Sequence, residues 1–195
     1  ANMSLWSPLG TKPKFLTEDE KKLVYATASG WVLEAGAESA RLTGNNNPDA
    51  QPEVLVAIGD LATSMSSATI TEIEFITTSF SKAAGGTFSM RVRFDEEVTV
   101  DTSGGTPHFI INNTTNSARH QTCLYASGSG TNELVFSKTL GAGSADINAN
   151  DVLNVIANPI ALNSGTIKDK GTTTDSDITR TLAIGSAAGT LTVAT

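Results

Sequence analysis

The alternation of apolar and polar residues at Phe88-Ser89-Met90-Arg91-Val92-Arg93-Phe94 sets the tightest limit on the fold. Successive side chains of a β-strand point to opposite faces, so one face of this segment must be covered while the other can meet water. Similar short signals recur from Thr69 onward. Ile73 and Phe75 form the buried face of a first strand, and Val98-Thr99-Val100 and Pro107-His108-Phe109-Ile110-Ile111 follow the alternating one. Further strands are expected at His120 to Tyr125, Glu133 to Ser137, Val152 to Ala157 and Ile178 to Ile184. Gly85-Gly86, Gly104-Gly105, Gly128-Ser129-Gly130, Gly141-Ala142-Gly143 and Asn163-Ser164-Gly165 separate them as turns. About seven short strands at this spacing predict an all-β chain, an immunoglobulin-like β-sandwich over residues 67–195.

Residues 1–66 have a different character and are expected to form a smaller N-terminal anchoring arm and β-hairpin. Thr17 with Glu20 three residues on is a capping-box signature that starts a short helical turn. Gly30 to Glu34 and Glu53 to Ile58 read as two strands joined by the loop Leu42 to Asp49. Two strands are marginal alone, so this segment should dock on something. Ala62 to Ala68, small and polar, reads as a linker. Trp6, Phe15 and Trp31 are large aromatics in a segment too small to bury them, and they are the expected partner-binding residues, since interface anchors are enriched in such side chains.

The search for chemistry yields no catalytic, cofactor-binding or metal-binding expectation. Cys123 is the only cysteine, which excludes an intrachain disulfide and suits folding in a reducing cytoplasm. His120 and Cys123 point to opposite faces of an alternating strand, so they cannot act as a base and nucleophile pair, and a core thiol is expected. With His108 and His120 the only histidines, the chain lacks the paired ligand spacings of a zinc site. Asp146-Ile147-Asn148-Ala149-Asn150-Asp151 alternates oxygen-bearing side chains but lacks the glycine and the distal glutamate of an EF-hand, and reads as a turn. Asp95-Glu96-Glu97 reads as an exposed turn between strands. A net charge of -7 with 13 scattered Lys and Arg argues against a nucleic-acid partner. No apolar run approaches the roughly 20 residues of a spanning helix, so no membrane partner is expected, and no export signal opens the sequence.

Thr131-Asn132-Glu133-Leu134-Val135-Phe136-Ser137, then Leu140-Gly141-Ala142-Gly143, then Asn150-Asp151-Val152-Leu153, then Asn158 to Asp169 resembles, in this order, the immunoglobulin-like modules of large bacterial surface and phage virion proteins. The chain departs from their usual run at Lys170 to Asp175. Met3 to Trp6, Lys12 to Leu16 and Gly30 to Leu33 resemble the starts of virion structural proteins of tailed phages, especially those of marine cyanobacteria. The resemblance implies a virion protein made in the host cytoplasm, foremost a capsid decoration (cement) protein, oligomeric or lattice-bound. It also implies other virion proteins as partners, the major capsid protein first among them. Its alternative is a tail or neck accessory or adhesion module that binds a receptor or glycan through loops such as Ser103 to Thr106 and Asn112 to Ser117.

Overall fold

The computed structural model describes residues 11–37 and 46–195. The N-terminal part holds α1 (Glu18–Lys22), β1 (Val24–Thr27), β2 (Gly30–Leu33), β3 (Glu53–Ala57) and α2 (Leu61–Ser64). The rest of the chain begins with β4 (Ile70–Phe75), β5 (Phe80–Ser81), β6 (Gly86–Asp101), β7 (His108–Asn113), β8 (Gln121–Ser127) and β9 (Thr131–Leu140). It continues through β10 (Val152–Asn154), β11 (Ile160–Ala161), β12 (Thr166–Asp169), α3 (Leu182–Ala187) and β13 (Thr190–Ala194).

The described chain is mostly β, and the 13 strands among the described residues belong to one mixed, hydrogen-bonded sheet with the main path β3-β2-β1-β6-β9-β8-β7-β10-β13-β5. The expectation of an all-β chain holds in that form, whereas separation into the two sheets of a sandwich is not shown. Strand β6 runs for 16 residues and joins two segments that the sequence separates, because Asp95-Glu96-Glu97 continues the strand and does not turn. It pairs with β4 and β9 along its first part, touches β1 at Ala26↔Glu96, and pairs with β12 at its end. The ladder to β9 breaks register between Arg93 and Val98, and this irregularity leaves room for the acidic residues to take other partners.

The main core collects one face of many strands: Phe88, Met90, Val92 and Phe94 of β6, Leu134 and Phe136 of β9, Phe109 and Ile111 of β7, and Leu191 and Val193 of β13. Phe80, on the last strand of the path, stacks on Phe88 with ring centroids 4.0 Å apart, so the far end of the sheet folds back against β6. On β4 a register shift between Ile70 and Glu72 lets both Ile70 and Ile73 turn inward, while Phe75 is only half-buried. Simple alternation misses this because a bulge adds a residue to one strand of the pair.

Three expectations change in the last third. The stretch from Ile178 forms no strand and instead leads into helix α3 at Leu182–Ala187, where Gly185 is buried against Val155. Strand β13 follows, with Leu191 and Val193 inward, and β12 forms directly after the turn Asn163-Ser164-Gly165; neither is among the expected strands. The turn before β12 is formed as expected: Asn163 and Ser164 both have positive φ, and Gly165 N–H donates to Leu162 O at 2.9 Å.

The N-terminal part is a three-stranded meander, not a hairpin, because β1 pairs with β2 as β2 pairs with β3. Its capping box forms as expected: Glu20 N–H donates to Thr17 Oγ1 at 3.3 Å, and Thr17 N–H donates to the Glu20 carboxylate at 2.7 Å. Leu16, Val24, Ala26, Trp31, Leu33 and Leu61 make a second small core of their own. Leu42 to Asn45 of the expected loop lie outside the described residues, and Asn47 to Ala50 form a turn. Ala62 to Ala68 is no free linker: it contains the end of α2, and Ala68 is fully buried.

Replacing Phe136 with Ala is expected to lower the unfolding free energy by about 3–5 kcal/mol, because the ring is fully buried and its loss leaves a cavity. Val54→Ala, at a side chain that is 47% exposed, is expected to change it by less than about 1 kcal/mol. Urea unfolding followed by circular dichroism compares the two, and equal effects would contradict the assignment of Phe136 to the core.

Candidate functional site

The densest polar chemistry lies where the meander meets the outer face of β4, β6 and β9. Arg93 points away from the main core, yet only 8% of its side chain is exposed. Its guanidinium faces four carboxylates: Glu34 at 3.2 Å just after β2, Glu72 and Glu74 (3.3 Å) on β4, and Glu133 (2.6 Å) on β9. Arg91 on the same face of β6 pairs with Glu74 at 2.8 Å, and Lys22 of α1 approaches Glu72 at 3.7 Å.

Burial alone would make Arg93 easier to deprotonate, but Glu34, Glu133 and Glu74 outweigh it and hold its affinity for the proton above the ordinary value. Glu34 is shifted upward, first by burial and then by the nearby Glu133 carboxylate, with Arg93 opposing. A cation shared in this way is a clasp. It ties the end of β2 to two strands of the main sheet, and its removal would leave several carboxylates close together.

Below Arg93, the three acidic residues of β6 diverge. Asp95 accepts from the Thr69 N–H at 2.6 Å and from its hydroxyl at 2.7 Å. Glu97 accepts from Lys170 Nζ at 2.9 Å. Glu96, only 1% exposed, lies opposite Ala26 of β1 and encloses an Oε1 without a hydrogen-bond partner. Burial pushes its carboxyl up to about 8, and the neighbouring Asp169 and Asp95 add to the effect. Asp169 is itself buried and accepts from the Ala68 N–H at 2.9 Å and the Ser176 hydroxyl at 3.0 Å. Asp95-Glu96-Glu97 is therefore a partly buried junction, because each carboxylate finds a donor or a proton; the sequence pattern of three adjacent charges carries no sign of this.

The aromatic residues singled out in the sequence separate. Trp6 lies outside the described residues. Phe15 is half-buried against the small core. Trp31 is 2% exposed and packs inside that core, so in this chain its indole is committed to holding the meander together. Strand β1 and α2 supply the walls that two strands alone lack, and neither is signalled strongly in the sequence.

Cys123 is fully buried opposite Phe109, and burial pushes its thiol up to about 12, with Lys138 opposing. His120 is exposed after a one-turn 3-10 segment at Ser117–Arg119, and His108 lies across from the exposed Leu124. Asp151 is buried and accepts from Asn113 Nδ2 and the Asn148 N–H, both at 2.8 Å, which makes it a brace between β7 and the turn before β10. Among the described residues, no group of three or more His, Cys, Asp or Glu is arranged to hold a metal ion.

The loops considered for adhesion are tied within the chain. A Cβ at Gly105 would lie 1.9 Å from Asn163 O, so only glycine permits the loop after β6 to rest on the turn before β12. Asn113 Oδ1 accepts from the N–H groups of Thr115 and Asn116, both at 3.0 Å, which fixes the loop after β7. In comparisons with known proteins, no family model, curated protein or solved structure matched the chain.

Arg93→Ala is expected to destabilise the chain by up to about 3 kcal/mol near neutral pH, because it leaves partly buried carboxylates uncompensated. Once Arg93 is gone, the upward shift of Glu34 loses its opposing charge and that carboxyl holds its proton more tightly folded than unfolded, so the deficit should shrink as pH falls toward the ordinary carboxylate range. Tryptophan fluorescence during denaturation at two pH values checks this, and a deficit that grows on acidification would refute it. Cys123 should resist a thiol reagent in the native protein and react fully in denaturant, as a buried thiol held far above its ordinary range must.

Proposed function

We propose that the chain is a structural protein of a phage virion, a capsid decoration protein whose region 67–195 is an immunoglobulin-like module and whose N-terminal part is its attachment region. For the module, the supporting feature is strand order. The run β4-β6-β9-β8 continues into β7-β10-β13-β5, and β13 lies parallel to β5. With β5, β11 and β12 set aside as additional strands, lettering β4, β6, β7, β8, β9, β10 and β13 from A to G in chain order makes the two runs A-B-E-D and C-F-G, the arrangement of immunoglobulin-like domains. The hydrogen bonds between β7 and β8 join the runs into one sheet.

The observation that carries the functional reading is the construction of the N-terminal part. It closes a private core and adds its strands beside β6 through one parallel bridge and the Arg93 clasp. Its last strand, β3, forms one end of the sheet path and exposes Val54. An added element of this kind enlarges the surface available to a neighbouring subunit without disturbing the main core. A protein that binds only the assembled shell stabilises it by mass action, with no chemistry required.

Antibody raised against residues 69–195 and applied to purified phage particles tests this by electron microscopy. Label distributed over the head is the expected result. Label confined to the neck or tail, or absent from intact particles, overturns the decoration reading.

A further inference from the structure

The chain around β6 contains a second device, which does not depend on the virion reading. Glu96 is a carboxyl at the centre of a sixteen-residue strand, enclosed by protein, with one oxygen that no donor reaches. Its position is shared by three pieces of chain. Strand β1 bridges at Glu96 itself. Residues 67–69 attach through Asp95 and through Asp169, which holds the Ala68 N–H. The strap 169–177 closes over the same place: Lys170 N–H donates to Glu97 O, Asp177 N–H donates to Ala68 O, and the Ser176 hydroxyl donates to Asp169.

We propose that Glu96 is a proton-dependent lock: with its carboxyl neutral, residues 67–69 and the strap 169–177 close over β6, and loss of that proton to solvent releases them. A neutral carboxyl can be enclosed without a partner at modest cost, whereas a carboxylate cannot. Once ionised, Glu96 would stand beside Asp169, whose own charge is spent on the Ala68 and Ser176 donors. Opening lets water reach both groups, and the bonds to Asp169 are the ones that yield.

Asp169 on β12 and Asp95 on β6 both oppose ionisation. Glu97 is paired with Lys170 of the strap, and it also faces the buried Tyr25 of β1, whose phenol is pushed up to about 12 chiefly by burial. Lys12 lies nearer Asp95 and Glu72, and burial lowers it to about 8, with Asp95 opposing.

The two groups act in opposite senses. Glu96 binds its proton more tightly when closed, so closure weakens from its ordinary range near 4.5 up to about 8 and then levels off. Lys12 holds its proton less tightly when closed, so it strengthens closure between about 8 and its ordinary 10.5.

Hydrogen exchange of the full chain between pH 5 and 9, corrected for the intrinsic pH dependence of exchange, tests the lock. Protection in residues 67–69 and 169–177 should fall by up to roughly tenfold per pH unit between about 5 and 8, while Leu134 to Phe136 remain unchanged. Glu96→Gln should abolish the dependence, and Lys12→Met should keep it. Flat protection in the native chain, an unchanged profile in Glu96→Gln, or loss of the profile in Lys12→Met overturns the proposal. If Glu96→Gln fails to fold, infrared spectra of the native chain decide. A protonated carboxyl band at pH 7 that disappears above pH 9 supports the lock, and its absence at pH 7 overturns it.

Discussion

Strand β6 must satisfy two environments along one backbone, and much of the molecule is arranged to let it. Its even-numbered residues from Phe88 to Phe94 enter the main core, while Arg91 and Arg93 face the opposite side. An ordinary outer strand face would meet water. Here the meander covers part of it, so Arg93 loses solvent and needs carboxylates in its place. The four glutamates come from β4, β9 and the segment after β2, and the charge requirement of one side chain thereby fixes how three parts of the chain lie together.

The same strand then changes partners over a few residues. Register with β9 is lost after Arg93, β1 touches at Glu96, and β12 takes over from Val98. Interruptions of this kind leave backbone and side-chain groups without ladder partners, and buried polar groups must find others. Asp95 and Glu97 find donors on neighbouring segments; Glu96 is left to its proton. Arg93 and Glu96 therefore solve one problem differently, the first by compensation and the second by neutrality.

The sequence was most legible where one side of a strand faces a core and the other does not. Phe88 to Phe94 alternate because their two environments differ, and the capping box of Thr17 and Glu20 is wholly local. Elements whose pattern depends on distant partners were not legible. Strand β1 is short and buried at three of its four residues, so it shows no alternation. Helix α3 follows a stretch with strand-like residues, and its placement beside β4 and the residues just after β10 comes from tertiary packing. Asp95-Glu96-Glu97 looks like a solvated turn because adjacent charges usually are one, and nothing local announces that Thr69, Asp169 and Lys170 will come to meet them. For Trp31, the walls that bury it were not readable, because α2 and β1 are weak signals on their own.

Among the described residues, the small N-terminal core draws on those between Phe15 and Met65. Contacts close in sequence form quickly, whereas pairings across long separations wait for loop closure. During synthesis the meander can therefore collapse while β6 is still unmade, and its docking surface reaches it only once Arg93 and Glu96 have left the ribosome. Until then Glu34 and the edge of β1 stand open, which makes this interval the stage at which the nascent chain is most exposed to pairing with the wrong strand.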